Sequence, residues 1–218
     1  MSVLMLAVFV VSSLIHLYAS LKSNKKLRAQ SKGFILASLC GWYLFSSPAP
    51  EMIVVAALLF SWLGDVLLIP KGIKWFVAGG IAFMASHLCF VFAYSSRIVF
   101  ADIPVIAIIL AAAVYLVASV LVFKGLKGSL PKALFLPMFF YLLLNGTMNC
   151  FALFQLLTLM NAASVITYIG ATLFFASDSL LFYVRFKKNT VLKNHFPVMA
   201  TYIIGEFLIT LGLVMLGA

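Results

Sequence analysis

Long apolar runs alternate with short polar segments along the whole chain. A helix that crosses the hydrocarbon core of a bilayer needs about 20 predominantly apolar residues, and eight runs approach that length. The pattern predicts helices over 3–21, 33–47, 51–69, 75–95, 103–123, 133–158, 162–185 and 196–217. We expect the second to be short, because its run ends at SSPAP and proline ends helices. The chain is therefore predicted to be an all-α membrane protein, a bundle of about eight transmembrane helices in a single domain over 1–218.

The composition supports this prediction and excludes some functions. Hydrophobic residues make up 65% of the chain and charged residues 9%, with a mean hydropathy of +1.20. A soluble domain carries about 25% charged residues. The net charge is +10, but the basic residues lie in short loops between apolar runs and do not form a patch beside aromatic residues on a soluble fold. We therefore expect them to set topology or to contact anionic lipids of the bilayer, and we expect no nucleic acid among the partners.

The distribution of lysine and arginine predicts the orientation of the bundle. All of them except Arg97 lie in the connections after the first, third, fifth and seventh runs. The positive-inside rule places those loops in the cytoplasm and both termini on the non-cytoplasmic side. The first run lacks the basic segment of a signal peptide, so we expect it to be retained as a span. The predicted location is multi-pass in a membrane, the cell membrane of a bacterium or the endoplasmic reticulum of a eukaryote.

Two carboxylates interrupt the apolar runs. Asp65 is the only formal charge between Glu51 and Lys71, and Asp178 lies within the seventh predicted helix. From the helical rise, they lie ~7 Å and ~10 Å from the cytoplasmic ends of their helices. A charged group in hydrocarbon is costly, so such residues usually face the protein interior and mark a function. The surrounding sequences, FSWLGDVLLIPKGIK and LFFASDSLLFYVRFK, are weakly similar, as a parallel repeat would be.

Other polar residues recur at helical spacing and predict inward-facing stripes. Residues three and four apart share a helix face, and lipid offers their polar groups no hydrogen-bond partner. We expect the stripes to surround a polar pocket that opens to the cytoplasmic side and holds both aspartates. The stripes contain Ser12, Ser13, His16 and Ser20; Ser61 and Asp65; Tyr141, Asn145 and Asn149; and Tyr202, Glu206 and Thr210.

The histidines and the remaining charges suggest mainly structural roles. The histidines occur singly, without HxxxH spacing, and the three cysteines lack metal-type spacing, so no metal or cofactor is predicted. A site formed by His16, His87 and an aspartate that meet only in space stays open as an alternative. We expect His195 to be solvated in its basic loop, and Arg97 and Asp102 to pair at the membrane interface.

A pair of buried carboxyl groups offers a defined chemistry. One can stay protonated and act as a general acid, while the other stays ionised and stabilises a cation or activates water. Buried acids in a parallel repeat would equally suit a proton-coupled transporter. A proton shared by the two acids would suit a lipid-binding membrane protein. The residues alone leave these alternatives open.

Two blocks of the sequence resemble the signature of the YhhN-like lysoplasmalogenases. The first, GDVLLIPKGIKWFVAGGIAFMASHLCF, matches at Gly64, Asp65, Phe76, Gly80, Phe83 and His87. The second, GATLFFASDSLLFYVRF, matches at Gly170, Ala171, Phe174, Ser177 and Asp178. Tyr202 with a polar residue four positions later is similar to the family's last helix, although Glu206 stands where the family has glutamine.

The resemblance implies a membrane ether hydrolase that needs no cofactor. Its expected reaction is hydrolysis of the vinyl-ether bond of lysoplasmalogens, a class of lysophospholipid, to a fatty aldehyde and a glycerophospho-alcohol. It implies catalytic roles for Asp65 and Asp178. The expected supporting or substrate-binding residues are His87, Glu206, Asn145, Tyr202, His16 and Ser177. The phosphate of the substrate is expected to meet basic residues at the cytoplasmic rim, among them Lys71, Lys74, Arg185 or Lys188.

Overall fold

The computed structural model describes residues 1–187 and 195–217, and over these residues the protein is all-helical, as predicted. Eight α-helices follow one another, without a strand in the described part of the chain. They are α1 Ser2–Leu21, α2 Lys25–Ser46, α3 Met52–Leu67, α4 Ile73–Ser95, α5 Val105–Leu126, α6 Phe135–Leu159, α7 Ala162–Phe186 and α8 Phe196–Leu216. Two short 3-10 turns, Phe100–Asp102 and Lys132–Leu134, precede α5 and α6.

Six of the eight helices, α1 and α4 to α8, are long and apolar enough to cross a membrane. This agrees with a multi-pass integral membrane protein. The two exceptions are α2, whose first turns are basic, and α3, which has only 16 residues. At 1.5 Å per residue α3 is about 24 Å long, shorter than the ~30 Å hydrocarbon core of a bilayer.

The second helix is not short, which corrects the prediction. It begins at Lys25 instead of residue 33 and has 22 residues. The side chain of Asn24 caps it by accepting a hydrogen bond from the backbone N–H of Leu27 at 3.1 Å. The basic residues Arg28 and Lys32, predicted in a loop, therefore lie on α2. They are four residues apart and so share one face of this helix.

The helices pack in the same order in both halves of the chain. Within each half, the first helix packs on the second, the second on the third and the third on the fourth, so that α1–α4 and α5–α8 repeat one pattern. Contacts of α4 with α6, and of α8 with α1 and α2, join the halves. Helix α5 is the most exposed, with apolar side chains such as Val105, Ile109 and Val114 on its outer face.

Helices α7 and α8 approach each other through glycine. A Cβ atom built on Gly170 would lie 2.6 Å from the backbone nitrogen of Ile209 and 2.7 Å from the carbonyl oxygen of Gly205. Both distances are far shorter than a van der Waals contact, so the two backbones can touch only where a side chain is absent. The close approach fixes the position of α8, which carries Tyr202, relative to α7, which carries Asp178.

Every predicted polar stripe faces the interior. The side chains of all twelve stripe residues are buried, and they lie on four helices, α1, α3, α6 and α8. Interior polar groups satisfy one another in part, as they must in a low-dielectric medium.

The predicted pair of Arg97 and Asp102 does not form. Arg97 binds the carboxylate of Glu51 instead, and its Nη1 atom also donates to the carbonyl oxygen of Ala93 at 2.7 Å. Asp102 lies exposed in the first 3-10 turn. The correction has a simple reason: the fold brings the start of α3 next to the end of α4, a long-range contact that sequence proximity does not reveal.

Candidate active site

Asp65 on α3 and Asp178 on α7 line the same cavity, as the polar stripes predict. The cavity has a volume of about 110 Å³, whereas a single water needs ~10–15 Å³ measured in this way. Its wall is aromatic and aliphatic on one side and basic on the other. The basic side chains come from α2, from the end of α7 and from the residue before α8; they are Arg28, Lys32, Arg185 and His195.

Asp65 is held by a cation and a phenol. Its Oδ1 atom lies 3.0 Å from Nζ of Lys32, and its Oδ2 atom accepts a hydrogen bond of 2.9 Å from the hydroxyl of Tyr202. The carboxylate is only 2% exposed. Lys32 is its ion-pair partner among the described residues, so the ionised form of Asp65 is stabilised at close range.

Asp178 is held by neutral donors. Its Oδ2 atom accepts hydrogen bonds from the hydroxyl of Tyr141 at 2.6 Å and from Nδ2 of Asn145 at 2.8 Å. Nε2 of His87 lies 3.6 Å from the same oxygen, beyond ordinary hydrogen-bond distance. The other oxygen, Oδ1, has no hydrogen-bond partner among the described residues. The two aspartates therefore have unlike surroundings although they share one cavity.

A cluster of aromatic rings lies beside the two acids. Phe174 packs against Tyr202 with ring centroids 5.5 Å apart and against the His87 ring at 5.0 Å. Phe83 completes the cluster, 6.1 Å from Phe174, and its ring fills the space that a side chain on Gly64 would need. These residues are among those that carry the resemblance to the YhhN-like signature, and Phe83 and Tyr202 line the cavity with the acids.

Two of the predicted supporting residues contact an aspartate directly, and His87 approaches one. Asn145 and Tyr202 donate hydrogen bonds as described above. Glu206 is fully buried, and neither carboxyl oxygen makes a hydrogen bond of normal geometry, although the Ser61 hydroxyl is close by. Its position on α8 is one helical turn from Tyr202, on the same face.

The other two predicted residues bind elsewhere. Nδ1 of His16 pairs with the hydroxyl of Ser31 at 2.9 Å, which links α1 to α2 and not to either aspartate. The Ser177 hydroxyl donates to the carbonyl oxygen of Val198 at 3.0 Å, although the residue lines the cavity. His16, His87 and an aspartate do not meet, and no three His, Cys, Asp or Glu side chains are grouped as metal ligands in the described part of the chain.

The mouth of the cavity differs from the predicted basic rim. Of the four residues expected there, Arg185 lines the cavity, whereas Lys71 and Lys74 are exposed and lie outside its lining. Lys188 lies outside the described residues. Arg28 and Lys32 take their place, because α2 begins two turns earlier than predicted.

His195 is not simply solvated, in contrast to the prediction. It is half-buried at the cavity mouth, directly before α8. Burial, reinforced by the positive charges of Arg28, Lys32 and Arg185, lowers the pKa of His195 to about 4. The imidazole is therefore neutral at pH 7, and the charge of the mouth comes from the lysine and the two arginines.

An apolar groove adjoins the cavity between α4 and α6. It is lined by Gly80, Met84 and Met138, among other apolar residues, and it shares Phe76 and Leu181 with the cavity. Ile81, which also lines the groove, is 62% exposed, so the groove reaches the outer surface of the bundle. A polar cavity with two acids thus continues into a channel suited to a hydrocarbon chain.

Arg28 and Lys32 are the site residues that sequence reasoning missed. The hydrophobic pattern places both in a loop, because basic residues beside an apolar run usually mark topology. The signal that points to their true place is Asn24, a preferred helix N-cap residue, followed by KKLRAQSKG with no proline or turn sequence.

Comparison with known proteins identifies a family. No curated protein and no solved structure matches the chain significantly. One family model, described as the YhhN family, matches residues 27–213, which include both aspartates, all the aromatic cluster and the groove. Because the match covers most of the chain, this protein belongs to the YhhN family.

Proposed function

We propose that this protein is a membrane lysoplasmalogenase, an ether hydrolase that needs no cofactor. Its substrate would be a lysophospholipid with one alkenyl chain, carrying a choline or ethanolamine headgroup. The observation that carries the proposal is the cavity itself, where two buried carboxyl groups with unlike surroundings meet next to an apolar groove. Membership of the YhhN family supports it.

The chemistry of vinyl-ether hydrolysis needs an acid, an anion and a water. A proton adds to the β-carbon of the alkene, which leaves an oxocarbenium ion at the carbon bound to oxygen. Water adds to that carbon and loses a proton, giving a hemiacetal. The hemiacetal breaks its bond to the glycerol oxygen, which takes up a proton, and the products are a fatty aldehyde and the free glycerophospho-alcohol.

The surroundings of the two aspartates favour one assignment of roles. Asp178 would be the acid, because its Oδ2 atom takes both hydrogen bonds and leaves Oδ1 to carry a proton. Asp65 would be the anion, because the Lys32 ammonium stabilises its ionised form. The negative charge of Asp65 would then stabilise the oxocarbenium ion and orient the attacking water, as one of two carboxylates does in glycosidases.

The apolar groove would hold the hydrocarbon chain of the substrate. With the alkenyl chain between α4 and α6 and the headgroup at the basic mouth, the vinyl-ether bond would lie at the boundary between them. That boundary contains Phe76 and Leu181, which line both the groove and the cavity. The substrate would enter sideways from the bilayer, with the site toward the cytoplasmic face of a single helical domain.

Substitution of each aspartate tests the proposal. In purified protein in detergent, Asp65→Asn and Asp178→Asn should each lower aldehyde release from an alkenyl lysophospholipid by ~100-fold or more, the usual contribution of acid–base groups. Asp102→Asn is the matched control, since Asp102 is exposed in a 3-10 turn far along the chain from both. Near-normal release from either site variant would refute the assignment. Turnover in detergent also distinguishes an enzyme from a carrier, which needs a sealed membrane.

A further inference from the structure

Two arginines at the cavity mouth have no acidic partner. Neither Arg28 nor Arg185 forms an ion pair with any carboxylate of the described residues. Nε of Arg28 is buried and makes no hydrogen bond within the same residues. The guanidinium of Arg185 lies 5.4 Å above the ring of Phe76, which turns it toward the shared wall of the cavity and the groove. Arg28 is partly buried, where a guanidinium without an anion is costly, whereas Arg185 is exposed at the mouth.

The mouth therefore has more positive than negative charge. Three permanent cations, Arg28, Lys32 and Arg185, line it, and Asp65 balances only one of them. Asp178, whose Oδ2 atom accepts from Tyr141 and Asn145, is the proposed protonated acid and adds no negative charge. Guanidinium groups present a planar set of donors that matches a phosphate, and they do so better than a lysine alone.

We infer that this mouth binds the phosphate group of the substrate through Arg28 and Arg185, with Lys32 bridging the phosphate and Asp65. The inference rests on the proposed function for the identity of the substrate. The bound group is a phosphodiester attached to a single hydrocarbon chain, because the groove for the chain begins at the wall that the mouth shares with it.

Lys32 has a second role at this mouth. At 3.0 Å from Oδ1 of Asp65, its ammonium keeps this buried carboxyl group ionised. A phosphate held by Arg28 and Arg185 shares the Lys32 ammonium with Asp65, which sets the position of the headgroup relative to the anion that stabilises the oxocarbenium ion. Lys32 is therefore a positioning residue for both groups, whereas the two arginines act on phosphate alone.

A pair of substrates with the same alkenyl chain tests the inference. One is an alkenyl glycerophosphocholine, and the other is the alkenylglycerol that lacks the phosphate. Arg28→Gln and Arg185→Gln should each lower kcat/KM for the phosphate-bearing substrate about tenfold or more, as expected for a lost charge-assisted hydrogen bond. The same variants should change kcat/KM for alkenylglycerol less than about twofold. Lys26→Gln is the matched control, because Lys26 is an exposed cation of the same helix outside the cavity lining.

Lys32→Gln has a distinct signature. It should lower kcat for both substrates, because the ammonium that keeps the buried Asp65 ionised is lost. Lys32→Arg keeps a cation at this position and should restore most of the activity, which a loss of packing alone would not predict. Equal losses on both substrates in the arginine variants, or unchanged turnover of alkenylglycerol in Lys32→Gln, would overturn the inference. If Lys32→Gln does not fold, the arginine variants decide it alone.

Binding measurements separate this inference from the proposed function. Saturated ether analogues, 1-O-hexadecylglycerophosphocholine and 1-O-hexadecylglycerol, have no vinyl-ether bond and report binding alone. Tighter binding of the phosphate-bearing analogue to the wild type, lost in Arg28→Gln, supports phosphate binding at the mouth. This result would stand even if no vinyl ether is cleaved, and then only the proposed function fails. Equal binding of both analogues overturns phosphate binding at the mouth. Binding of inorganic phosphate as tight as that of the phosphate-bearing analogue would show a site for free phosphate and overturn the assignment to a lipid headgroup.

Discussion

Tyr141 shows how a single hydroxyl can control the proposed acid. It donates to Oδ2 of Asp178 at 2.6 Å, next to the donor of Asn145 on the same oxygen. Tyr141→Phe removes the hydroxyl and keeps the ring, which packs against His87 with centroids 5.3 Å apart. We expect kcat for aldehyde release to fall ~10–100-fold, because the hydroxyl would stabilise the carboxylate that forms as Asp178 gives up its proton, while KM and the melting temperature change little.

The control for this prediction is Tyr18→Phe. Tyr18 is 58% exposed on the outer face of α1, so loss of its hydroxyl should leave kcat unchanged. A normal kcat in Tyr141→Phe would show that Asn145 alone positions Asp178. A rise in KM together with a fall in melting temperature would indicate a general packing defect instead.

At the residue scale, the sequence predicts which groups are unusual but not what holds them. Asp65 and Asp178 are recognisable because a charge inside an apolar run has few explanations. Their partners are not, because Lys32 and Tyr202 lie on other helices, and Tyr202 is 137 positions from Asp65. A contact over that separation depends on helix packing, which periodicity within one helix does not encode.

At the scale of elements, the contact between α7 and α8 predicts a strict need for glycine at position 170. In Gly170→Ala the new methyl group would meet the backbone nitrogen of Ile209 and the carbonyl oxygen of Gly205, neither of which can rotate away. Overpacking of this kind costs ~1–3 kcal/mol, which corresponds to a fall of several degrees in melting temperature. A thiol-reactive dye can follow unfolding through the buried Cys40 and Cys150.

Gly33→Ala is the matched substitution. A Cβ atom at Gly33 on α2 would meet no other atom within 4 Å. Because alanine favours a helix more than glycine does, this variant should keep or slightly raise the melting temperature. Equal melting temperatures for the two variants would contradict the close approach of α7 and α8.

The helix boundaries show where the hydrophobic pattern no longer predicts the structure. Seven predicted helices agree with the structure to within a few residues at each end, because an apolar run long enough for a membrane has one stable conformation in lipid. The start of α2 was missed, since its first two turns are polar and its capping by Asn24 is a local feature that hydropathy ignores. That error hid Arg28 and Lys32, so a mistake about one element became a mistake about the site.

At the scale of the whole molecule, the sequence predicts a bundle but not its interior. The number of helices follows from the apolar runs, and the burial of polar stripes follows from the absence of water in lipid. The order of packing does not follow, since similar apolar faces can pair in many ways. The two halves nonetheless use one pattern of neighbours, with Asp65 and Asp178 on the third helix of each, which agrees with the weak sequence repeat.

The orientation of the molecule in its membrane is the last prediction, and it decides from which leaflet the substrate enters. The basic residues predict that the mouth and the loop between α5 and α6 face the cytoplasm, with both termini outside. Alkaline phosphatase is active only outside the cytoplasm. Fused to the C-terminus after α8 it should therefore be active in bacterial cells, and fused after Gly128, behind α5, it should be inactive. Fluorescent protein fusions at the same two positions should give the opposite pattern. An active Gly128 fusion with an inactive C-terminal fusion would show that the mouth faces the outer leaflet. The substrate would then have to come from that side.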